Sequence, residues 1–172
     1  SGSAGVAEVP VSLVSSVFAS IGGKESDIGF HVTTPSSFAL QKLLKASADN
    51  GDEYFVLETT SHALDQNRAW GVNYEIGVIT NITHEHLDYH KTYDEYEKTK
   101  LKLLKMSKIG IKNTLKIEDI VKKITDLTSF NQYNYSSAYN VCKRLGLSDK
   151  IILEAMKTFQ LPKGRLDLVY DK

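Results

Sequence analysis

Cysteine is almost absent: Cys142 is the only one in 172 residues. No internal disulfide can form, and a reducing cytoplasmic setting is expected. With no cysteine cluster there is also no structural zinc ribbon. Long apolar runs are missing as well. Nothing approaches the roughly 18 residues a membrane span needs, and no signal-peptide pattern opens the chain. Neither sign of charge prevails, since Lys+Arg and Asp+Glu both number 21. That balance argues against nucleic acid and against an anionic membrane as partners. Lysines do gather in Lys98–Lys108 and Lys112–Lys123. Both stretches carry helical apolar spacing, so the lysines read as solvated helix faces. There is no internal repeat and no low-complexity tract, and the oligomeric state is left open.

What remains is an ordinary globular composition, 41% hydrophobic and 24% charged, enough for the core of one domain. Residues 1–10 read as a tag or loose N-terminus, and residues 11–165 as the domain. Val11–Ala19 is β-branched and short, a strand. Ser20–Phe30, with three glycines, is a turn-rich connection. Thr34 is expected to cap a helix opened by Pro35. Leu40, Leu43, Leu44, Ser47 and Ala48 would lay one face of it on a core. Glu53–Leu57 and Tyr74–Ile79 are buried strands, with partly helical Thr59–Gly71 between them. Thr92–Met106 is a helix with Tyr93, Tyr96, Leu103 and Leu104 on one side. Ile109–Ile111 is a short strand and Ile117–Ile124 a short helix. Gln132–Leu145 is a helix with Asn134, Ala138, Val141, Cys142 and Leu145 on its face, which makes Cys142 a buried, inert thiol. Ser148 caps a last helix facing inward through Ile151, Ile152, Ala155, Met156 and Phe159. The alternation predicts an α/β fold, a mostly parallel sheet flanked by helices.

Ligands of open α/β sheets bind beyond the carboxyl ends of the strands. Two strands end in polar residues there, one running into Glu58 and the other into the segment Thr80–His90. Three histidines, a glutamate and an aspartate fall within His84–His90, which suits a Mg²⁺, Mn²⁺ or Zn²⁺ site as well as a solvated loop. Glu58 and His86 are expected on the same sheet edge, with Glu58 in need of a partner because its strand is buried. Lys100 falls on the apolar stripe of its helix, where an amine must snorkel, pair or be modified.

Several ordered pieces then carry a resemblance. They are Thr33-Thr34-Pro35, Glu58 through Arg68 (ETTSHALDQNR), Thr80–Thr83 leading to His86–His90 (HLDYH), Tyr96 with Lys100, Phe130–Asn134 with Ala138, and Leu161–Arg165. Together they resemble the Mur ligases over about Val11–Val169, closest to the UDP-N-acetylmuramoyl-tripeptide synthetase (MurE) type. The resemblance implies a cytoplasmic ATP-dependent amide ligase of peptidoglycan synthesis. ATP would phosphorylate a carboxylate of a UDP-muramoyl peptide, and an amino acid amine would attack the acyl phosphate. It implies Mg²⁺ and ATP as cofactors, with Glu58 and His86 as metal ligands and His86 and Lys100 as catalytic residues, Lys100 as a carbamate. Thr33, Thr34, Thr60, Gln66 and Arg68 would contact the muramoyl substrate, and Asn131, Asn134 and Arg165 the nucleotide. Residues 166–172 would begin a linker to a C-terminal domain.

The family's phosphate loop, G-x-x-x-x-G-K-[ST], is not found: Gly23-Lys24 is followed by Glu25 and has no glycine five residues earlier. Without that loop no backbone cradle for phosphates exists. The expectation is therefore a truncated central domain, inactive alone, with Lys100 a plain amine leaning on Asp88 or Glu58. The alternatives are a non-catalytic binding module and a metal-dependent hydrolase using His84–His90.

Overall fold

A computed structural model describes residues 9–26, 33–83, 85–112 and 129–159. The expected helix 117–124 lies outside them. The chain divides into two compact units, one through Val72 and one from Asn73.

The first unit holds β1 (Val11–Val14), β2 (Ala19–Ile21), β3 (Lys24–Ser26), α1 (Ser37–Asn50), β4 (Tyr54–Leu57) and α2 (Ser61–Asp65). Its sheet runs β3-β2-β1-β4, with β1 parallel to β4, Val14 opposite Leu57. The pairs β1–β2 and β2–β3 are antiparallel. The expected single strand Val11–Ala19 is thus two, folded at Ser15–Phe18, and the expected loop after it carries β3. The expected burial of β4 holds for one face at most: Tyr54 and Val56 are exposed, while Phe55 and Leu57 are half-buried. The core is Val14, Ala19, Leu40, Ala63, Leu64 and Ala69.

Helix α1 is capped by Ser36, whose hydroxyl accepts from the Ala39 amide, and not by Thr34. Along it Leu40 and Ser47 are buried, while Ala48 is exposed. It stops at Gly51, whose φ of 83° closes the last turn through the Ala48 and Ser47 carbonyls; a left-handed residue there favours glycine. Asp52 follows as an anchor. It accepts from the hydroxyls of Ser12 and Ser47 and from the Asn50 side-chain Nδ2.

The second unit holds β5 (Tyr74–Ile79), α3 (Leu87–His90), α4 (Tyr93–Lys105), β6 (Ser107–Lys112), α5 (Ser129–Arg144) and α6 (Asp149–Thr158). β5 and β6 are parallel, Val78 opposite Ile111, joined through α4, which packs on both strands. Thr92, expected inside the helix, caps α4 through the Glu95 amide, and Ser148 caps α6 through the Ile151 amide as expected. Ile152 and Met156 of α6 close on Tyr139 of α5, with Cys142 against them; burial pushes the Cys142 thiol pKa up, which disfavours the reactive thiolate. The expected α5 face is corrected: Asn134 and Ala138 are exposed, and Ser136, Ser137 and Tyr139 are buried. On α6, Ile151, Ala155 and Phe159 also face outward.

Two carboxylates tie these units internally. The Ser12 hydroxyl, then Asn50 and Ser47, hold Asp52 below its ordinary pKa. Lys143, then Tyr139, do the same for Asp149, and Tyr139 donates its hydroxyl to Asp149 at 2.9 Å. A depressed folded-state pKa gives stability that is present above the unfolded value, about 3.9, and lost as pH falls through the lower folded value. The thermal midpoint is therefore expected to drop as pH falls below about 4. Asp52→Asn and Asp149→Asn should each flatten that drop, as followed by circular dichroism. An unchanged acid profile in both variants would show that these carboxylates are not the linkage.

Candidate functional site

In the first unit, β4 delivers Glu58 at its carboxyl end. The Glu58 amide donates to the Val14 carbonyl at 2.9 Å, continuing the β1–β4 ladder by one residue. Its side chain is exposed, which removes burial as a reason for it to need a partner. Its partner is instead the Ser16 amide, 2.7 Å from Oε2.

Thr34 joins the predicted substrate residues to one another. It is 1% exposed, and its hydroxyl donates to the Glu58 carbonyl at 3.0 Å while accepting from the Thr60 amide at 3.1 Å. Its own carbonyl accepts from Arg68 Nη1 at 3.0 Å. Arg68 Nε reaches Gln66 Oε1 at 2.8 Å. Thr60 caps α2 by accepting from the Ala63 amide. Glu58, Thr34, Thr60, Gln66 and Arg68 are therefore one hydrogen-bonded network, with Thr33 half-buried beside Thr34. Thr34, expected to cap a helix, has its hydroxyl committed to this network instead.

In the second unit, β5 ends at Ile79 and releases Thr80–Thr83. Lys100, on α4, is half-buried. Its Nζ donates to the Asn81 carbonyl at 2.7 Å and lies 4.9 Å from the Tyr96 ring centre. The expected carboxylate partner is thus corrected to a backbone carbonyl and a ring face, both suited to an ammonium ion. Tyr96 is 1% exposed, and its ring centre lies 6.0 Å from that of His86 and 5.3 Å from that of His90. His86 is exposed and has a φ of 57°, a left-handed conformation that is uncommon outside glycine and enriched at sites of function. His90 turns inward instead, 5% exposed and against Tyr89. His86 and His90 thus share the Tyr96 ring but differ in exposure. No group of three or more His, Cys, Asp or Glu side chains among the described residues gathers as a metal centre.

Asn134 lies exposed on α5. The Asn131 side chain and Arg165 lie outside what the structure describes. The sequence reading missed the Ser15–Phe18 turn that meets Glu58; the Ser15-Ser16 pair was its signal, since short hydroxyl side chains favour turns.

A Mg²⁺ ion suits carboxylate oxygen donors. Glu58 offers one in the first unit, with one oxygen already oriented by Ser16, and His86 offers an imidazole in the second. The Glu58 carboxylate is the kind of donor the ion takes, whereas an imidazole suits a softer metal better.

Parallel strands flanked by helices, with acidic, hydroxyl and guanidinium groups past their carboxyl ends, define an α/β domain of the kind that places such groups at one sheet edge. The chain belongs to the Mur ligase middle domain family, whose family model matches residues 6–159. It is 35% identical over 161 residues to UDP-N-acetylmuramoyl-L-alanyl-D-glutamate--2,6-diaminopimelate ligase 1 of Clostridium acetobutylicum, covering 93% of this chain and 30% of that protein. It is 44% identical over 81 residues to the Clostridium perfringens ligase of that name, covering 47% of this chain and 17% of that one. The chain thus spans less than a third of either relative. A solved structure of a UDP-N-acetylmuramoyl-L-alanyl-D-glutamate--2,6-diaminopimelate ligase shares the fold, with a TM-score of 0.69 at 18% identity over 94% of this chain and 43% of that one. Among the described residues no helix is long and apolar enough to cross a membrane.

Proposed function

We propose that this chain supplies middle-domain groups of a cytoplasmic ATP-dependent ligase that adds an amino acid to a UDP-N-acetylmuramoyl peptide in peptidoglycan synthesis. The observation that carries this reading is the network in which Thr34 links Glu58, Thr60 and Arg68, because the family resemblance implies a metal ligand in Glu58 and substrate contacts in Thr34, Thr60 and Arg68. Arg68 would meet a carboxylate or phosphate of the substrate, a planar cation already oriented by Thr34 and Gln66. Thr33 and Thr60 would add polar contacts, and Asn131, Asn134 and Arg165 would lie along the nucleotide. Glu58 and His86 would hold Mg²⁺, which when bound would neutralise phosphate charge. Lys100 would first have to release the Asn81 carbonyl and lose a proton before it could carry a carbamate.

The 172 residues contain no phosphate loop, so ATP binding and turnover by this chain alone are not expected. Calorimetry with Mg²⁺-ATP should give only heats of dilution, and a low-micromolar dissociation constant would overturn that part. Titration with UDP-N-acetylmuramoyl-L-alanyl-D-glutamate should show binding that Arg68→Ala weakens about tenfold, the range for one hydrogen bond to a charged group. Equal binding by the variant would remove Arg68 from the site, and no binding by the parent chain would remove the substrate reading for these residues alone.

A further inference from the structure

We propose that the β1–β2 turn, Ser15–Phe18, is a positioning element of the site, in which the Ser15 hydroxyl shapes the loop that aims the Ser16 amide at Glu58. The inference deepens the reading of Glu58 as a cation donor and rests on that reading for its functional consequence.

Glu58 is exposed, so packing does not select its rotamer, and ordering a side chain of this length costs rotamer entropy. Its backbone is fixed at both ends: the amide bonds to Val14 and the carbonyl accepts from the Thr34 hydroxyl. Only one further contact is then needed to set the carboxylate, and the Ser16 amide makes it at 2.7 Å to Oε2. A bond from an amide to a carboxylate is charge-assisted and stronger than a neutral one. With Oε2 engaged, Oε1 is left to carry the interaction with a cation.

That amide is placed by its neighbour. The Ser15 amide donates to the Phe18 carbonyl at 3.0 Å, closing the turn. The Ser15 hydroxyl donates to the same carbonyl at 3.1 Å and accepts from the Val17 and Phe18 amides at 3.2 and 3.3 Å. One side chain thus organises both amides that follow Ser16, as serine does in turns. Alanine there removes all three of its bonds while leaving the strands paired.

The test uses amide resonances of the whole chain, with Mn²⁺ as a probe ion. The Ser16 amide proton should shift in Glu58→Gln, and in Ser15→Ala that response should largely disappear. Mn²⁺ should broaden resonances around Glu58 in the parent chain. Ser15→Ala should need about three to ten times more Mn²⁺ for equal broadening, in line with losing part of a bond to a charged group. Ser15→Thr keeps the hydroxyl and should restore both readouts, which a merely destabilised turn would not do. A Ser16 amide indifferent to Glu58→Gln would overturn the proposal. So would equal Mn²⁺ titrations of the parent and Ser15→Ala. If the parent shows the Glu58-dependent amide but no broadening at Glu58, the cation reading falls. The positioning of Glu58 is then judged by the Ser15→Ala amide response alone.

Discussion

Replacing Tyr96 with alanine is expected to cost the chain about 3–5 kcal/mol, the range for deleting a buried aromatic side chain. Tyr96 is among the largest fully buried side chains. It sits on α4, with the rings of His86 and His90 against it and the Lys100 ammonium 4.9 Å from its ring centre. The cavity would open beneath two groups proposed for catalysis, so loss of stability and loss of their order should occur together. Tyr96→Phe keeps the ring, and with it most of the packing and the face that Lys100 approaches. Urea denaturation of both variants measures the first effect, and the dispersion of the His86 and Lys100 resonances measures the second. A loss below about 1 kcal/mol for the alanine variant would mean that the pocket collapses around the gap, as some sites do.

The sequence made this part of the molecule legible because its signals are local. The helix over Tyr93–Lys105 and the Ser148 cap of α6 lie where the local pattern of apolar period and cap places them. The parallel β5–β6 pair with α4 between follows from strand–helix alternation. Where a distant residue decides, the local signal misleads. Thr34-Pro35 reads as a helix start, but the Thr34 hydroxyl is committed to Glu58 and Thr60, and Ser36 takes the cap. The β-branched run Val11–Ala19 reads as one strand because Val17 and Phe18 mask the turn at Ser15-Ser16. Helix α5 is rich in Ser, Asn and Tyr, so its apolar period is weak; the buried positions became Ser136, Ser137 and Tyr139.

The candidate site divides along the same line. The position of Glu58 after a strand was legible from polarity alone, and Lys100 stood out on its helix stripe. Their partners were not, because both are backbone groups, the Ser16 amide and the Asn81 carbonyl, and every residue carries such groups. Nor could the sequence tell that His90 turns inward while His86 stays exposed.

Gly77 is the position where the smallest addition should have the next largest effect. It lies in β5 opposite Gly110 of β6, and it permits a close approach of the end of α4. A Cβ at Gly77 would collide with Ser107 Oγ and come within 3.0 Å of Ser107 Cβ and 3.2 Å of the Leu103 carbonyl oxygen. Ser107 cannot simply turn away, since its hydroxyl donates to that same Leu103 carbonyl at 2.6 Å, where α4 passes into β6. Gly77→Ala is therefore expected to cost about 1–3 kcal/mol, the usual penalty for overpacking, and Gly77→Val more. Gly110→Ala should cost less, because its new Cβ would come no nearer than 3.1 Å to Leu104 Cβ, its nearest contact, whereas one at Gly77 collides with Ser107 Oγ. The consequence reaches the site, because α4 carries Tyr96 and Lys100 while β5 leads to Asn81. Pushing α4 off β5 should weaken the contact of Lys100 with the Asn81 carbonyl. The decisive measurement is a double-mutant cycle. Ser107→Gly removes the colliding atoms, so it should cost less in the Gly77→Ala background than in the parent chain. Strict additivity of the two changes would show that Ser107 is not what makes glycine necessary at 77.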